Sequence, residues 1–182
     1  TEHTASQPIT RGWRLYCIDA YTGEGLWNIT GPMQPGAISD GYLTAGNSYD
    51  GYMYVFGKGQ SATTVSAPQT QITSGTNVII SGTVLDQSPG QPGTACVSKE
   101  SMTEWMEYLH MQHQMPADVK GVPVTIDAVD PTGEYVHLGD AVSDASGTFA
   151  FVWTPTMEGT YKITATFMGD DSYGSSWSET HA

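Results

Sequence analysis

Phe149-Ala150-Phe151-Val152-Trp153 and, one turn later, Tyr161-Lys162-Ile163-Thr164-Ala165-Thr166-Phe167 decide the fold of most of this chain. In the first run every second residue is aromatic. In the second, Tyr161, Ile163, Ala165 and Phe167 alternate with Lys162, Thr164 and Thr166. A period of two is the pattern of a strand with one dry face. Upstream the same signal recurs: Val78, Ile80 and Val84 share one face, and Val122, Val124, Ile126 and Ala128 share another. Asp130-Pro131-Thr132-Gly133 and Asp144-Ala145-Ser146-Gly147 supply turns, and Tyr135-Val136-His137-Leu138 is the returning strand between them. A last strand is predicted to hold Tyr173 and Trp177. Short strands about ten residues apart, punctuated by Gly and Pro, predict two stacked sheets.

Composition agrees with a mainly β protein. The 182 residues include 21 Gly and 10 Pro, both poor in helix interiors, and only 14% are charged. Nineteen acidic against six basic residues give a net charge of −13, which argues against nucleic acid and anionic membrane partners. The acidity sits in residues 61–182, at −11, against −2 for residues 1–60. No apolar run is long enough to span a bilayer, and neither end carries a signal-peptide pattern.

The first third reads as strands and turns with an internal repeat. Leu15-Tyr16-Cys17-Ile18 returns as Met53-Tyr54-Val55-Phe56. After the first copy, Asp19-Ala20-Tyr21-Thr22-Gly23-Glu24-Gly25-Leu26-Trp27 predicts a hairpin. Between the copies, residues 37–46 predict strand, Asp40-Gly41 turn, strand. A period near 40 with about four strands per unit is that of a propeller blade. The pattern Leu15 to Trp27 and Ala37 to Phe56 resembles the repeats of PQQ-like (quinoprotein-type) β-propellers. The second copy lacks the Thr-Gly turn and the Trp after Phe56. The segment therefore holds about one and a half blades, whereas closure takes at least four. This resemblance implies the C-terminal part of a longer propeller protein, its partners being missing blades or neighbouring subunits.

Gly121-Val122-Pro123-Val124, Ser143 to Phe149 and Gly159 to Ala165 are similar to prokaryotic Ig-like modules of surface proteins. Glu158-Gly159-Thr160-Tyr161 resembles the tyrosine corner of Ig-like sheets, without the flanking Cys. The expected organisation is a propeller blade segment over 1–60 and an Ig-like β-sandwich over 61–182, with one inserted α-helix at about 87–120. Propeller followed by Ig-like module resembles archaeal surface proteins, whose modules act as spacers, stalks or binding units.

Within the insertion, Ser101-Met102-Thr103-Glu104 is a capping-box pattern, with Ser98 as an alternative cap. Met102, Trp105, Met106, Leu109 and His113 form one helical stripe, stopped before Pro116. Glu100, Glu104 and Glu107 toward the start, and His110 and His113 toward the end, suit the helix dipole. His110 and His113, one turn apart beside Met111 and Met115, are also ligands copper would accept. Zinc would need more, and Cys96 is the obvious further candidate. Calcium would suit loop carboxylates among Asp140, Asp144, Asp170 and Asp171. Against both metals stands the plainer expectation of capping imidazoles and solvated turn aspartates, with no cofactor.

Cys17 and Cys96 lie in different predicted units and are expected to be two separate buried thiols. A bridge between them is the alternative, worth roughly 4 kcal/mol through loop closure. Asn28-Ile29-Thr30 is a glycosylation sequon. No nucleophile elbow, phosphate loop or His-Glu-x-x-His motif occurs in the sequence. The expected function is a non-enzymatic structural or adhesive module, extracellular or at the cell surface. Two alternatives are a subunit of an extracellular polymer built by β-strand addition and a fragment of a quinone-dependent dehydrogenase.

Overall fold

The structure, a computed structural model, describes residues 13–73 and 75–182. They form two compact units: residues up to Lys58 together with Lys99–Asp118, and Gly59–Ser98 together with Val119–Ala182. The chain therefore leaves the second unit after Ser98 and re-enters it at Val119. The inserted helix belongs by its contacts to the first unit.

In the first unit, β1 (Arg14–Ile18) and β2 (Gly25–Thr30) form a hairpin, and β3 (Met33–Ser39), β4 (Tyr42–Asn47) and β5 (Met53–Phe56) form a three-stranded meander. The turns fall where the sequence places them. Asp19 accepts the backbone N–H groups of Tyr21 and Thr22, at 2.8 and 2.7 Å, and closes the first hairpin. Asp40 and Gly41 both adopt positive φ, 51° and 82°, which gives the β3–β4 turn the twist its strands require. The hairpin packs on the meander through Leu15, Ile29 and Trp27 on one side and Leu43, Ala45, Tyr54 and Phe56 on the other. Trp27 and Phe56 stack with centroids 5.4 Å apart.

The helix α1 (Lys99–His110) adds Met106, and Met111 just beyond it, to that cluster. It starts earlier than the capping-box pattern predicts, so Ser101 lies inside the first turn and Ser98 holds the cap position. The helix also stops before Pro116 can act. The N–H groups of Met111 and His113 both return to the Glu107 carbonyl, and Gln112 takes a left-handed φ of 57°.

The second unit contains β6 (Ser61–Ser66), β7 (Val78–Asp86), β8 (Pro123–Val129), β9 (Tyr135–Val142), β10 (Thr148–Trp153), β11 (Lys162–Phe167) and β12 (Ser176–His181). They form a three-stranded sheet ordered β10-β7-β6 and a four-stranded sheet ordered β12-β11-β8-β9, all pairs antiparallel. Neither sheet closes into a barrel, and together they make a β-sandwich. Its interior is the predicted one: Val78, Ile80, Val84 and Phe149 from one sheet meet Val124, Ile126, Ile163, Ala165 and Phe167 from the other, all buried. Each such side chain contributes roughly 1.5–3 kcal/mol, apart from the smaller Ala165. Phe151 and Trp153 keep the same inward parity but are half-buried toward the end of β10.

Two glycines make this packing feasible. A Cβ on Gly82 would lie 1.9 Å from the Thr64 carbonyl oxygen and 2.6 Å from the Phe149 ring. One on Gly139, which also holds φ at 149°, would lie 2.8 Å from the Phe151 ring. Tyr161 turns its hydroxyl back onto its own chain four residues upstream. Its hydroxyl donates to the Met157 carbonyl at 3.1 Å and receives the Met157 N–H at 3.2 Å. The ring meets Trp153 edge-on at 4.7 Å.

The last strand needs correction. Tyr173 precedes β12 and is buried, bridging to Gly59, while Trp177 lies within β12 and is 63% exposed. The Gly169 turn ends in a separate short segment that carries Tyr173 inward, which a count of alternating residues does not register. Among the described residues, no helix is long and apolar enough to cross a membrane.

Truncating Ile163 or Phe149 to alanine is expected to cost about 3–5 kcal/mol, because each is wholly enclosed. Ile79→Ala, on the exposed side of β7, is expected to cost well under 1 kcal/mol. Urea denaturation of the three variants measures the difference.

Candidate functional site

Glu107 is the polar feature that organises the first unit. It lies on α1 and is 5% exposed. Its Oε1 accepts the backbone N–H of Thr30 at 2.8 Å and the Thr30 hydroxyl at 2.6 Å, and the Arg14 guanidinium stands 3.3 Å away. Its Oε2 lies 3.2 Å from Nδ1 of His113. Arg14 also donates to the Asn28 side-chain oxygen, and the Thr103 hydroxyl donates to the Asn28 carbonyl at 3.1 Å. One carboxylate thus holds the helix to β1, β2 and the segment that follows the helix. Three donors converge on Oε1 and an imidazole faces Oε2, so the group acts as a clasp.

The residues singled out in the sequence lie apart. His113 faces Glu107, whereas the His110 ring sits edge-on to Tyr54 with centroids 6.2 Å apart. Asp144 accepts Ser146 N–H, Ser146 O–H and Thr148 N–H at 2.8, 2.6 and 3.0 Å. Asp170 accepts Ser172 N–H and Tyr173 N–H, both at 2.8 Å. Asp171 is exposed on the same turn, and Asp140 lies on β9 opposite Thr125. Among the described residues, no three of His, Cys, Asp and Glu converge in a way that could hold a metal ion. Asn28 of the sequon lies within β2 opposite Tyr16, and the hydroxyl of its Thr30 is committed to Glu107.

The turn aspartates repeat one device. In Asp130-Pro131-Thr132-Gly133-Glu134, Asp130 accepts the N–H of Thr132 and of Glu134 and the Thr132 hydroxyl, at 2.8, 2.9 and 2.7 Å. The Asp144 turn has the same pattern, and both turns end on a positive-φ glycine. The hydroxyl bond from Thr132 lowers the pKa of Asp130, that from Ser146 lowers the pKa of Asp144, and the Thr22 N–H lowers that of Asp19. The two cysteines are free, and only Cys96 is buried as expected, whereas Cys17 on β1 is half-buried. Burial pushes the Cys96 thiol up to about 12, aided by the nearby charges of Asp86 and Asp170. Burial likewise raises the Tyr54 hydroxyl to about 12, with the hydrogen bond to Asp50 adding to it.

Glu107 is the organising residue that reading by helical period assigns to the dipole. Its neighbours Trp105, Met106 and Met111 are apolar, and a Glu among them is the signal that marks a buried carboxylate. A shallow groove of about 430 Å³ lies on the outer side of the meander, lined in part by Gln34, Gly36, Gly46, Tyr52 and Met53.

No family model matches this chain, and no curated protein matches it. One solved structure with a similar course is a tetra-tandem repeat in the extending region of a large adhesion protein. It is 15% identical, with a TM-score of 0.40 over 88% of this chain and 35% of that one. This chain thus spans about a third of that chain's length. A likeness at that level leaves the function to be argued from the residues themselves.

Three outcomes are expected. Glu107→Ala should cost about 3 kcal/mol, because it strands the Thr30 N–H and Arg14 beneath the helix, and Glu107→Gln about half of that; chemical denaturation compares them. With iodoacetamide at neutral pH, peptide mapping should find Cys17 modified in the folded protein and Cys96 only in denaturant. For Asp130 and Asp144 the folded-state pKa lies below the unfolded one. Their stabilisation is therefore present above about pH 4 and lost as pH falls through the folded values. Asp144→Asn should flatten that acid limb of a stability-versus-pH curve.

Proposed function

We propose that this chain is a non-enzymatic structural or adhesive module that works outside the cell or at its surface. The observation that carries this reading is the course of the chain through the sandwich. Gly59 and Tyr173 form a parallel bridge, and the Ser61 hydroxyl donates to the Gly174 carbonyl at 2.6 Å. Thr63 and Ser176 join their hydroxyls at 2.7 Å, and at the far end the Gln69 side chain donates to the His181 carbonyl. The first and last strands of the sandwich therefore run side by side in the same direction. Entry lies at one pole and exit at the other.

A sandwich threaded from pole to pole suits a load-bearing spacer. Tension between its ends shears β6 against β7 and β11 against β12, and shear loads many ladder hydrogen bonds together. The aspartate-locked turns support the same reading, since they spend the chain's acidity on fixing loops. Seven strands in sheets of three and four, with a tyrosine corner, favour an Ig-like module. The hairpin stacked on the three-stranded meander favours about one and a half PQQ-like blades in the first unit. Its partners, on this reading, are protein chains, and no cofactor is expected.

Pulling the chain by handles on Gly59 and Ala182 should give resisted unfolding of the sandwich, with a contour gain on the order of 40 nm. Antibody should label intact cells of the source organism. Extension without a force peak would remove the spacer role, and labelling only after permeabilisation would remove the surface role.

A further inference from the structure

The two edges of the meander are treated differently. On β3, Pro35 has no N–H to offer, and the register shifts between Pro35 and Ile38, so that edge is blunted. On the opposite edge, β5 pairs with β4 alone among the described residues. The Asn47 N–H donates to the Tyr52 carbonyl at 2.9 Å, which identifies that opposed pair as hydrogen-bonded. Alternation then turns the main-chain groups of Tyr54 and Phe56 toward β4 and those of Met53 and Val55 outward. Met53 and Val55 are 66% and 61% exposed, so nothing among the described residues covers the outer face of the strand beside that unfilled ladder.

We propose that β5 is a self-association edge, at which two copies of this chain pair their β5 strands antiparallel about a two-fold axis beside Tyr54. The register follows from the outward groups. Met53 of each copy exchanges two hydrogen bonds with Val55 of the other, four in all, and the meanders merge into one six-stranded sheet. The arrangement is isologous and closes on itself.

Charge favours a second copy as the occupant. Two chains of −13 repel over most of their surface, but residues 51–57 carry no charge at all. The same register sets Lys58 of each copy across from Asp50 of the other. Lys58 is exposed and forms no ion pair among the described residues. Asp50 is held ready by the Asn47 amide, the Tyr52 N–H and the Tyr54 hydroxyl, at 3.0, 2.8 and 2.7 Å. The pairing deepens the surface-module reading by naming a partner, yet it stands or falls apart from cell labelling and force response.

Sedimentation equilibrium on the full chain tests the pairing. The wild type is expected to form dimers in a concentration-dependent way. Val55→Pro removes an outward N–H that β4 does not use, and should yield monomers with an unchanged far-UV circular dichroism spectrum. Lys58→Glu leaves the backbone ladder intact and should raise the dimer dissociation constant about tenfold. A wild type that stays monomeric at high concentration overturns the proposal. So does a folded Val55→Pro that dimerises like wild type, or a Lys58→Glu with an unchanged constant. Should Val55→Pro fail to fold, the Lys58→Glu constant decides alone.

Discussion

The sandwich depends on one constraint: two sheets must each present an unbroken apolar face, and the faces must come close enough to exclude water. Ile80, Val84 and Phe149 on one side and Val124, Ile126, Ile163 and Phe167 on the other meet that demand. Close approach comes from what is absent as much as from what is present. Without a Cβ at Gly82, the Phe149 ring lies over β7 instead of being held away from it. A one-residue slip in any strand would reverse its faces and expose the set, so burial and register enforce each other.

Acidic groups serve the fold in two distinct ways. At the turns, Asp19, Asp130, Asp144 and Asp170 each take up backbone N–H groups that a tight turn leaves unpaired. Those carboxylates lie at or near the surface. Glu107 is different. Buried on the inner face of the helix, it draws on a guanidinium, a hydroxyl, a backbone N–H and an imidazole, and so ties elements far apart in sequence. The buried group gives the helix a specific seat, where apolar contacts through Met106 and Met111 alone would tolerate sliding.

The sandwich is legible in the sequence because its signal is local and repeated. Alternation at Val122 to Ala128 and at Tyr161 to Phe167, with Asp-x-Thr-Gly and Asp-x-Ser-Gly turns between strands, names both the strands and their dry faces. The helix is legible as a helix from its apolar stripe. Its start follows Ser98, the alternative cap, but its end is not legible, because it is set by the Glu107 carbonyl and the left-handed Gln112 and not by Pro116. Tyr173 escapes the pattern for a related reason: it enters the core from a short bridge after a turn, where no period operates.

What the sequence by itself determined is therefore most of the strands and turns, the inward parity of β7, β8, β10 and β11, and the absence of charge around β5. These depend on neighbours a few residues away, and backbone geometry enforces them wherever the chain is placed. The tertiary structure alone decided that Lys99–Asp118, inserted between β7 and β8, joins the first unit, that Glu107 clasps Thr30 and Arg14, and that no described strand pairs with the outer edge of β5. Each joins or leaves open groups dozens of residues apart, and a long flexible loop can close in many ways at similar entropic cost. Only the partners waiting at the far end choose among them.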